Sequence, residues 1–184
     1  MADYEPKTLL ITGGAGFIGS NFVRMVLDEH PEVRVVNLDK LTYAGNLDNL
    51  DGYMEMPNHI FVQGDIGDAT LVARLLAEYE IDAIVNFAAE SHVDRSITDP
   101  DAFIASNISG VFNLLQCALD YKKIGRIVQV GTDEVYGALT LHSAERFRED
   151  WPLVPRSPYS ATKAAADHLC FAWHHTYGLP TLVT

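Results

Sequence analysis

The sequence has little cysteine and little positive charge, and each shortage excludes classes of protein. Its 184 residues contain two cysteines, Cys117 and Cys170, which lack the spacing of a disulfide framework or a zinc site. We therefore expect two buried, reduced thiols and no metal. With 13 lysines and arginines against 25 aspartates and glutamates, the formal charge is −12. Such a charge repels phosphate polymers, so we expect no nucleic-acid partner.

Long apolar runs and targeting signals are also lacking. No uninterrupted apolar stretch approaches the roughly 20 residues that span a membrane, and the first residues lack the pattern of a secretory signal. We therefore expect a cytoplasmic protein without membrane contact. The length suits one domain with a sizeable core.

The stretch from Lys7 to Ser20 organises the rest of the chain. The apolar run 9–11 predicts a buried strand, and a turn with three glycines and an amphipathic helix follow it. Gly13 lets the chain turn sharply, Gly16 lets the backbone approach a pyrophosphate, and Gly19 lets the helix pack close to the sheet. The pyrophosphate would lie on unpaired N–H groups at the helix N-terminus. Because glycine turns after strands are common, these glycines alone leave an ordinary turn as an open alternative.

Acidic residues follow at positions that suit a dinucleotide. Asp39 ends the second predicted strand, twenty positions after Gly19. A carboxylate there accepts hydrogen bonds from two ribose hydroxyls and repels a 2′-phosphate, which favours NAD over NADP. The neighbouring Lys40 slightly weakens this preference, and an ordinary loop aspartate is the alternative. After the third strand, Asp65 and Ile66 could bind an adenine amino group and cover its face, although Asp65 could equally precede a helix.

Predicted strands and helices alternate along the chain. After the first strand and helix, strands are predicted over 33–39, 59–62, 81–89 and 127–130, and helices over 69–79, about 99–121 and 157–177. The almost continuously apolar fourth strand is typical of a parallel strand covered on both faces. This alternation predicts an α/β fold, a doubly wound parallel sheet of the Rossmann type, with ligands at the carboxyl ends of the strands.

Groups that could carry chemistry follow the fifth strand. Thr132, Asp133 and Glu134 lie at its end, and Tyr159 and Lys163 are four residues apart, on one face of the last predicted helix. A phenol with a pKa of about 10 is a poor base near neutrality, and a neighbouring ammonium favours the phenolate. Adjacent carboxylates facing one site can hold different pKa values. For the tyrosine–lysine pair in isolation, an ordinary amphipathic helix is the alternative.

On these residues, the sequence resembles the extended short-chain dehydrogenase/reductase family and, within it, the nucleotide-sugar dehydratases. The motifs span essentially the whole chain: Thr-Gly-Gly-Ala-Gly-Phe-Ile-Gly at 12–19, the run 39–46, Asp65-Ile66, the run 86–96, Thr132-Asp133-Glu134-Val135-Tyr136-Gly137 and the Tyr159/Lys163 pair. The first and last motifs mark the superfamily only. The run 39–46, the loop 90–96 and the Asp133-Glu134 pair indicate the dehydratases.

The resemblance implies a reaction that uses NAD without consuming it, on dTDP-glucose or a related nucleotide sugar. Tyr159, assisted by Lys163 and Thr132, would take the proton of the sugar 4-hydroxyl while hydride passes from carbon 4 to NAD. Glu134 would remove the carbon-5 proton, and Asp133 would protonate the departing 6-hydroxyl. Hydride would then return to carbon 6 and give a 4-keto-6-deoxy sugar.

The resemblance also implies a set of ligand contacts. Ser91 and Thr132 would touch the sugar. Residue 106 is serine where the family often has threonine, and Gly131 stands where serine is frequent. The cofactor contacts would be Gly13, Gly16, Phe17, Ile18, Gly19, Asp39, Lys40, Leu41, Thr42, Asp65, Ile66, Phe87, Ala88, Ala89, Glu90, Ser91, Ser106, Tyr159 and Lys163.

By the same resemblance, residues 1–184 are an NAD-binding domain that carries the catalytic residues and ends within a sixth strand. A C-terminal substrate domain would follow, so we expect this portion alone to be inactive, and the assembly is expected to be a homodimer. Two alternatives stay open. One is a nucleotide-sugar epimerase or decarboxylase of the same superfamily, against which the Asp133-Glu134 pair argues. The other is a non-catalytic NAD-binding or dimerisation module.

Overall fold

Short apolar strands alternate with helices along the chain, as the sequence predicts. In the computed structural model, which describes residues 4–184, two single turns of 3-10 helix (Leu47–Leu50 and Asp133–Tyr136) and a π-helical segment (Ile104–Gly110) accompany the regular elements. These elements are β1 (Thr8–Thr12), α1 (Phe17–Glu29), β2 (Arg34–Asp39), β3 (His59–Gln63), α2 (Ala69–Glu78), β4 (Ala83–Asn86), α3 (Val93–Thr98), α4 (Pro100–Phe103), α5 (Val111–Tyr121), β5 (Arg126–Gln129), α6 (Pro158–Tyr177) and β6 (Thr181–Val183).

All six strands are parallel and follow the order β3-β2-β1-β4-β5-β6. The strand order reverses between β1 and β4, so the loops that follow these two strands diverge and open a crevice. This topology confirms the doubly wound sheet of the Rossmann type. One boundary differs from the prediction, because the apolar residues 87–89 leave the sheet after Asn86 and line that crevice instead.

Both faces of the sheet are buried, which explains the continuous apolar strands. In β1, Leu10 packs on one face with Leu75 and Leu115 from α2 and α5. Ile11 packs on the opposite face with Val23 from α1. Since full burial of such a side chain is worth roughly 1.5–3 kcal/mol, these two layers hold the strand ends in fixed positions.

The helical stretch Pro100–Tyr121 corrects one expectation from the sequence. Its 22 residues, with a mean hydropathy of 1.4, are long and apolar enough to cross a membrane by length and composition alone. In the fold its inner face contributes Leu114 and Leu115 to the core beside the sheet. Cys117 and Cys170 are buried and unbonded, as expected. Within residues 4–184, no three histidine, cysteine or acidic side chains cluster as metal ligands would.

Candidate active site

A cleft of about 880 Å³ runs along the carboxyl ends of the strands. The glycine turn after β1 lines its centre, the loops after β2 and β3 line one end, and the loop after β4 and the start of α6 line the other. This is the position that the reversal of strand order predicts for a ligand.

The glycine turn brings backbone close to backbone, which explains two of its glycines. Gly13 has a φ of +71°, and a Cβ there would lie 2.6 Å from the Ala88 nitrogen. A Cβ on Gly19 would collide with the Gly13 carbonyl oxygen. Gly16 precedes α1 and provides no side-chain cap, and no acidic residue lies in the first turn. The N-terminal N–H groups of α1 are therefore available to an anion.

Asp39 holds the glycine turn as well as facing the cleft. Its two carboxylate oxygens accept one hydrogen bond each, from the Ala15 N–H and from the Leu41 N–H, both at 2.8 Å. The side chain is buried. Each oxygen keeps a second lone pair that a ribose hydroxyl could use. The sequence predicts the ligand role of this carboxylate but gives no sign of its structural one.

Leu41 does not line the cleft, which distinguishes it from the other predicted cofactor contacts. Its backbone is left-handed, with a φ of +56°, and its N–H is bonded to Asp39. The side chain packs instead against the core cluster beside α1.

Lys40 and Asp65 form an ion pair at the end of the cleft that the loops after β2 and β3 line, with Nζ and Oδ2 2.7 Å apart. Burial would raise the pKa of Asp65, but the Lys40 ammonium and the Gly67 N–H hold it below its usual value. The pair is largely exposed, so it contributes little stability. It does neutralise Lys40, which reduces the attraction of this loop for a 2′-phosphate.

Asn107, which is not among the residues predicted from the sequence, connects the loop after β4 with α6. Its side chain accepts a hydrogen bond from the Glu90 N–H at 2.8 Å and donates to the Glu90 carbonyl at 2.9 Å and to the Thr162 hydroxyl at 3.0 Å. Thr162 in turn donates to the Tyr159 carbonyl at 2.8 Å. The asparagine lies in the π-helical segment, and π-helical turns frequently occur at functional sites. A buried asparagine within an apolar helical pattern was the available signal.

The start of α6 is fixed by its cap. Ser157 and Ser160 form a reciprocal capping box, with Pro158 at the beginning of the helix. Tyr159 and Lys163 are therefore held on the same buried face, as their spacing predicts, and both line the cleft.

Lys163 is anchored to the sheet. Its ammonium donates to the Val130 carbonyl at 2.5 Å. Behind this carbonyl, a buried polar chain crosses three strand ends: Thr12 donates to Asn86, and Asn86 donates to Gln129 at 2.7 Å. The ammonium thus has a fixed position at the carboxyl end of β5.

The pKa of Tyr159 is raised, which corrects the expectation of a lowered value. Burial raises it most, the neighbouring Thr132 hydroxyl lowers it, and the negative charges of Glu134, Asp133 and Asp167 raise it further. The physical reason is that the phenol is buried and lies near three negative charges, while the Lys163 ammonium is bonded to the Val130 carbonyl. Burial also lowers the pKa of Lys163, against the opposing effect of Asp167.

Thr132, Asp133 and Glu134 do not line the cleft but adjoin its Tyr159 end. Thr132 caps the 3-10 turn, and its hydroxyl accepts a hydrogen bond from the Glu134 N–H at 3.3 Å. Asp133 is exposed and Glu134 half-buried. Both carboxylates are close enough for their negative charges to raise the pKa of the Tyr159 phenol. The turn therefore holds two carboxylates near the tyrosine, outside the lining of the cleft.

Most of the predicted cofactor contacts come together in the cleft. Further residues that were not predicted as contacts lie there too. Most are small residues without reactive groups, found after strand ends or on the π-helical segment, whereas Leu38 lies in β2 and Ala102 in α4. The predicted residues that line the cleft are Gly13, Gly16, Phe17, Ile18, Gly19, Asp39, Lys40, Thr42, Asp65, Ile66, Phe87, Ala88, Ala89, Glu90, Ser91, Ser106, Tyr159 and Lys163. The additional ones are Leu38, Ala44, Gly45, Gly64, Gly67, Ala102, Ala105, Ser109, Val130 and Gly131.

The strand order, the glycine turn and the cleft together define a Rossmann-type domain with a tyrosine–lysine pair at one end of its cleft. A family profile described as GDP-mannose 4,6 dehydratase matches residues 10–184, and the chain belongs to this family. The resemblance that the motifs indicated is confirmed.

Known relatives and solved structures agree with this assignment. The chain is 55% identical over 185 residues to a dTDP-glucose 4,6-dehydratase of Xanthomonas campestris pv. campestris (strain B100), covering 96% of this chain and 52% of the relative. The dTDP-glucose 4,6-dehydratase DesIV of Streptomyces venezuelae, solved with NAD and dTDP bound, superposes with a TM-score of 0.89 at 50% identity, covering 96% and 54%. A UDP-glucose 4-epimerase of Thermus thermophilus, in complex with NAD, gives a TM-score of 0.85 at 32% identity, covering 96% and 53%. The chain thus spans about half the length of the relatives that it matches.

Proposed function

We propose that this chain is the NAD-binding and catalytic portion of a dTDP-glucose 4,6-dehydratase. The observation that carries the proposal is the composition of the Tyr159 end of the cleft. There a buried tyrosine and lysine adjoin a turn with Thr132, Asp133 and Glu134. The names of the relatives at 55% and 50% identity support the same activity.

The cleft has the features that an NAD site requires. Its volume, about 880 Å³, is in the upper part of the range of small-molecule sites, roughly 300–1,000 Å³. The first turn of α1 presents free N–H groups for a pyrophosphate, and Asp39 keeps lone pairs for ribose hydroxyls. Because Lys40 is paired with Asp65, the nearest cation does not favour NADP. When bound, NAD supplies the acceptor and later the donor of a hydride.

At the other end, each side chain has a proposed task. Tyr159 exchanges the proton of the sugar 4-hydroxyl, with Thr132 as a hydrogen-bond partner and Lys163 as the nearby cation. Oxidation of carbon 4 to a ketone acidifies the proton on carbon 5, which Glu134 removes. Asp133 protonates the departing 6-hydroxyl, so that water leaves. The assignment of the base to Glu134 and of the acid to Asp133 follows the resemblance to the nucleotide-sugar dehydratases, and carboxyl groups are suited to both tasks.

The assembly and setting are part of the proposal. We propose a cytoplasmic homodimer without nucleic-acid or membrane partners, with the nucleotide sugar held partly by residues outside 1–184. Large apolar side chains are about half exposed along α5 and α6, including Phe112, Phe171 and Tyr177. Exposed aromatic side chains on two helices that pack together are consistent with a protein–protein contact. Light scattering of the natural gene product, wild type against Phe112→Glu, tests this part: a monomeric wild type would contradict it.

Turnover of dTDP-glucose by the natural gene product tests the activity. The 4-keto-6-deoxy product is followed by its absorbance in alkali. We expect product from the wild type and a loss of at least about a hundredfold in Asp133→Asn and Glu134→Gln, as general acids and bases contribute roughly 10²–10⁴-fold. Asp51→Asn and Glu149→Gln make the same changes at exposed sites and should retain full activity.

Other outcomes favour the alternatives. Conversion of UDP-glucose to UDP-galactose without any 4-keto-6-deoxy product would indicate an epimerase, as in the Thermus thermophilus relative. Bound NAD with no turnover of either sugar would indicate a dinucleotide-binding module.

A further inference from the structure

Tyr159, Lys163 and Asp167 succeed one another at intervals of four residues along α6. Residues at this spacing occupy one face of a helix. All three are buried: Lys163 is 4% exposed and Asp167 is 3% exposed. The first two belong to the proposed catalytic machinery, whereas nothing so far assigns a task to Asp167.

Lys163 needs a counter-charge that its direct contact does not supply. Its ammonium donates to the Val130 carbonyl, which is a neutral dipole. Among residues 4–184, no carboxylate lies within 4.0 Å of it. A buried ammonium without a counter-charge favours its neutral form. In the described chain, Asp167 is the one carboxylate whose negative charge raises the pKa of Lys163.

The other titratable groups near this face do not replace Asp167. Cys170, also on α6, has a pKa raised to about 12 by burial and by Asp167, so it is a neutral thiol. Asp133 and Glu134, on the turn after β5, act on the phenol of Tyr159 and not on the Lys163 ammonium. Within the described residues, the helices packed against α6 contribute no further charge to Lys163.

Asp167 also lacks a structural explanation. In the described residues its buried Oδ1 has no hydrogen-bond partner. An unpaired buried acceptor lowers stability, so a role in the fold does not account for this carboxylate. Burial raises the pKa of Asp167 to about 6, against the effect of Lys163. The group is therefore still ionised at neutral pH.

We propose that Asp167 is a positioning residue whose negative charge keeps the Lys163 ammonium protonated on the Val130 carbonyl, beside Tyr159. The proposal rests on the proposed function for its catalytic meaning, since Lys163 assists Tyr159 only as a cation. The charge state of Lys163 is measurable whether or not the sugar is turned over.

Competitive acetylation of the natural gene product, with trace acetic anhydride across pH 7–12 and mass spectrometry of the Lys163 peptide, gives the titration midpoint of this amine. NAD content is matched between variants. We expect Asp167→Asn to lower the midpoint by about one pH unit, a tenfold larger neutral fraction, since opposite charges at close range shift a pKa by roughly 1–3 units. Asp167→Glu, which keeps the negative charge, should bring the Lys163 midpoint most of the way back to the wild-type value. Asp120→Asn, an exposed carboxylate on α5, should leave the midpoint unchanged.

Activity and stability complete the test. In active protein, the alkaline limb of the pH profile of kcat/KM should move to lower pH in Asp167→Asn, together with the Lys163 midpoint. In Asp167→Glu it should lie close to its wild-type position. A residue that only supports the fold would instead lower Tm and leave the midpoint alone. Asp167→Leu removes the charge without adding a polar group and should give the same shift if the asparagine variant does not fold. An Asp167→Asn or Asp167→Leu midpoint equal to that of the wild type overturns the proposal, even in an active dehydratase.

Discussion

Replacing Asp39 with asparagine should destabilise the protein even without NAD. Its two oxygens accept the Ala15 and Leu41 N–H groups, both at 2.8 Å, and Ala15 is fully buried. Asparagine keeps one acceptor oxygen but turns an NH₂ group toward the other donor. A charge-assisted hydrogen bond is worth roughly 1.5–3 kcal/mol, and an unpaired buried donor costs about 1–3 kcal/mol. Because these costs overlap, we expect the free energy of unfolding to fall by roughly 2–4 kcal/mol.

Thermal and urea unfolding of NAD-free protein measure this change. In a domain of this size, 1 kcal/mol shifts Tm by about 2–4 °C, so Tm should fall by roughly 5–15 °C. Added NAD raises Tm by an amount that depends on its affinity. This rise in Tm should also be smaller in the variant, because the proposed ribose contacts are lost. Asp51→Asn, an exposed carboxylate in the same half of the chain, is the matched control.

Equal unfolding midpoints for wild type and Asp39→Asn without NAD would refute the reasoning. The carboxylate would then serve the cofactor alone, and the glycine turn would keep its shape without it. A loss confined to the NAD increment is the outcome that this alternative predicts.

Three further changes have expected outcomes. Gly19→Ala places a Cβ against the Gly13 carbonyl, so NAD affinity by calorimetry should fall and stability should drop by about 1–3 kcal/mol; unchanged affinity would contradict the tight turn. Asp68→Ala removes the N-cap acceptor of the Leu71 N–H and should cost about 0.5–2 kcal/mol in urea unfolding, with NAD binding unchanged. Asp167, with its pKa raised to about 6, binds more protons folded than unfolded between about pH 4 and 6, so its contribution to stability falls as pH rises. The free energy of unfolding of Asp167→Asn should therefore equal that of the wild type near pH 4 and exceed it by up to about 3 kcal/mol above pH 6.5. A difference between the two free energies that does not change with pH would exclude a raised pKa.

The sequence predicts the fold well because both faces of the sheet are covered. Buried parallel strands must be continuously apolar, and this marks them clearly in the chain. The predicted end of β4 is wrong for the same reason: residues 87–89 are apolar but leave the sheet to line the cleft. Hydrophobicity reports burial, and burial at a ligand cleft looks the same in sequence as burial in a strand.

The site is predicted less completely, because spacing shows which residues share a face but not what else surrounds them. The interval between Tyr159 and Lys163 correctly places both on one buried face. It does not show that Lys163 is bonded to Val130, nor that burial and the negative charges of Glu134, Asp133 and Asp167 raise the pKa of the phenol. These partners come from the residue that follows β5, from the 3-10 turn after it and from a later turn of α6, and only the fold brings them together.

Asp39 shows how cofactor preference and stability are coupled in this chain. The carboxylate that we propose discriminates against a 2′-phosphate also accepts hydrogen bonds from two backbone N–H groups that shape the glycine turn. A substitution that only removes the negative charge, such as Asp39→Asn, leaves one of those donors unpaired and should distort the glycine turn at the same time. Variants directed toward NADP therefore need a new acceptor for the Ala15 N–H as well as a cation for the phosphate. Lys40 could serve as that cation once Asp65 no longer pairs with it.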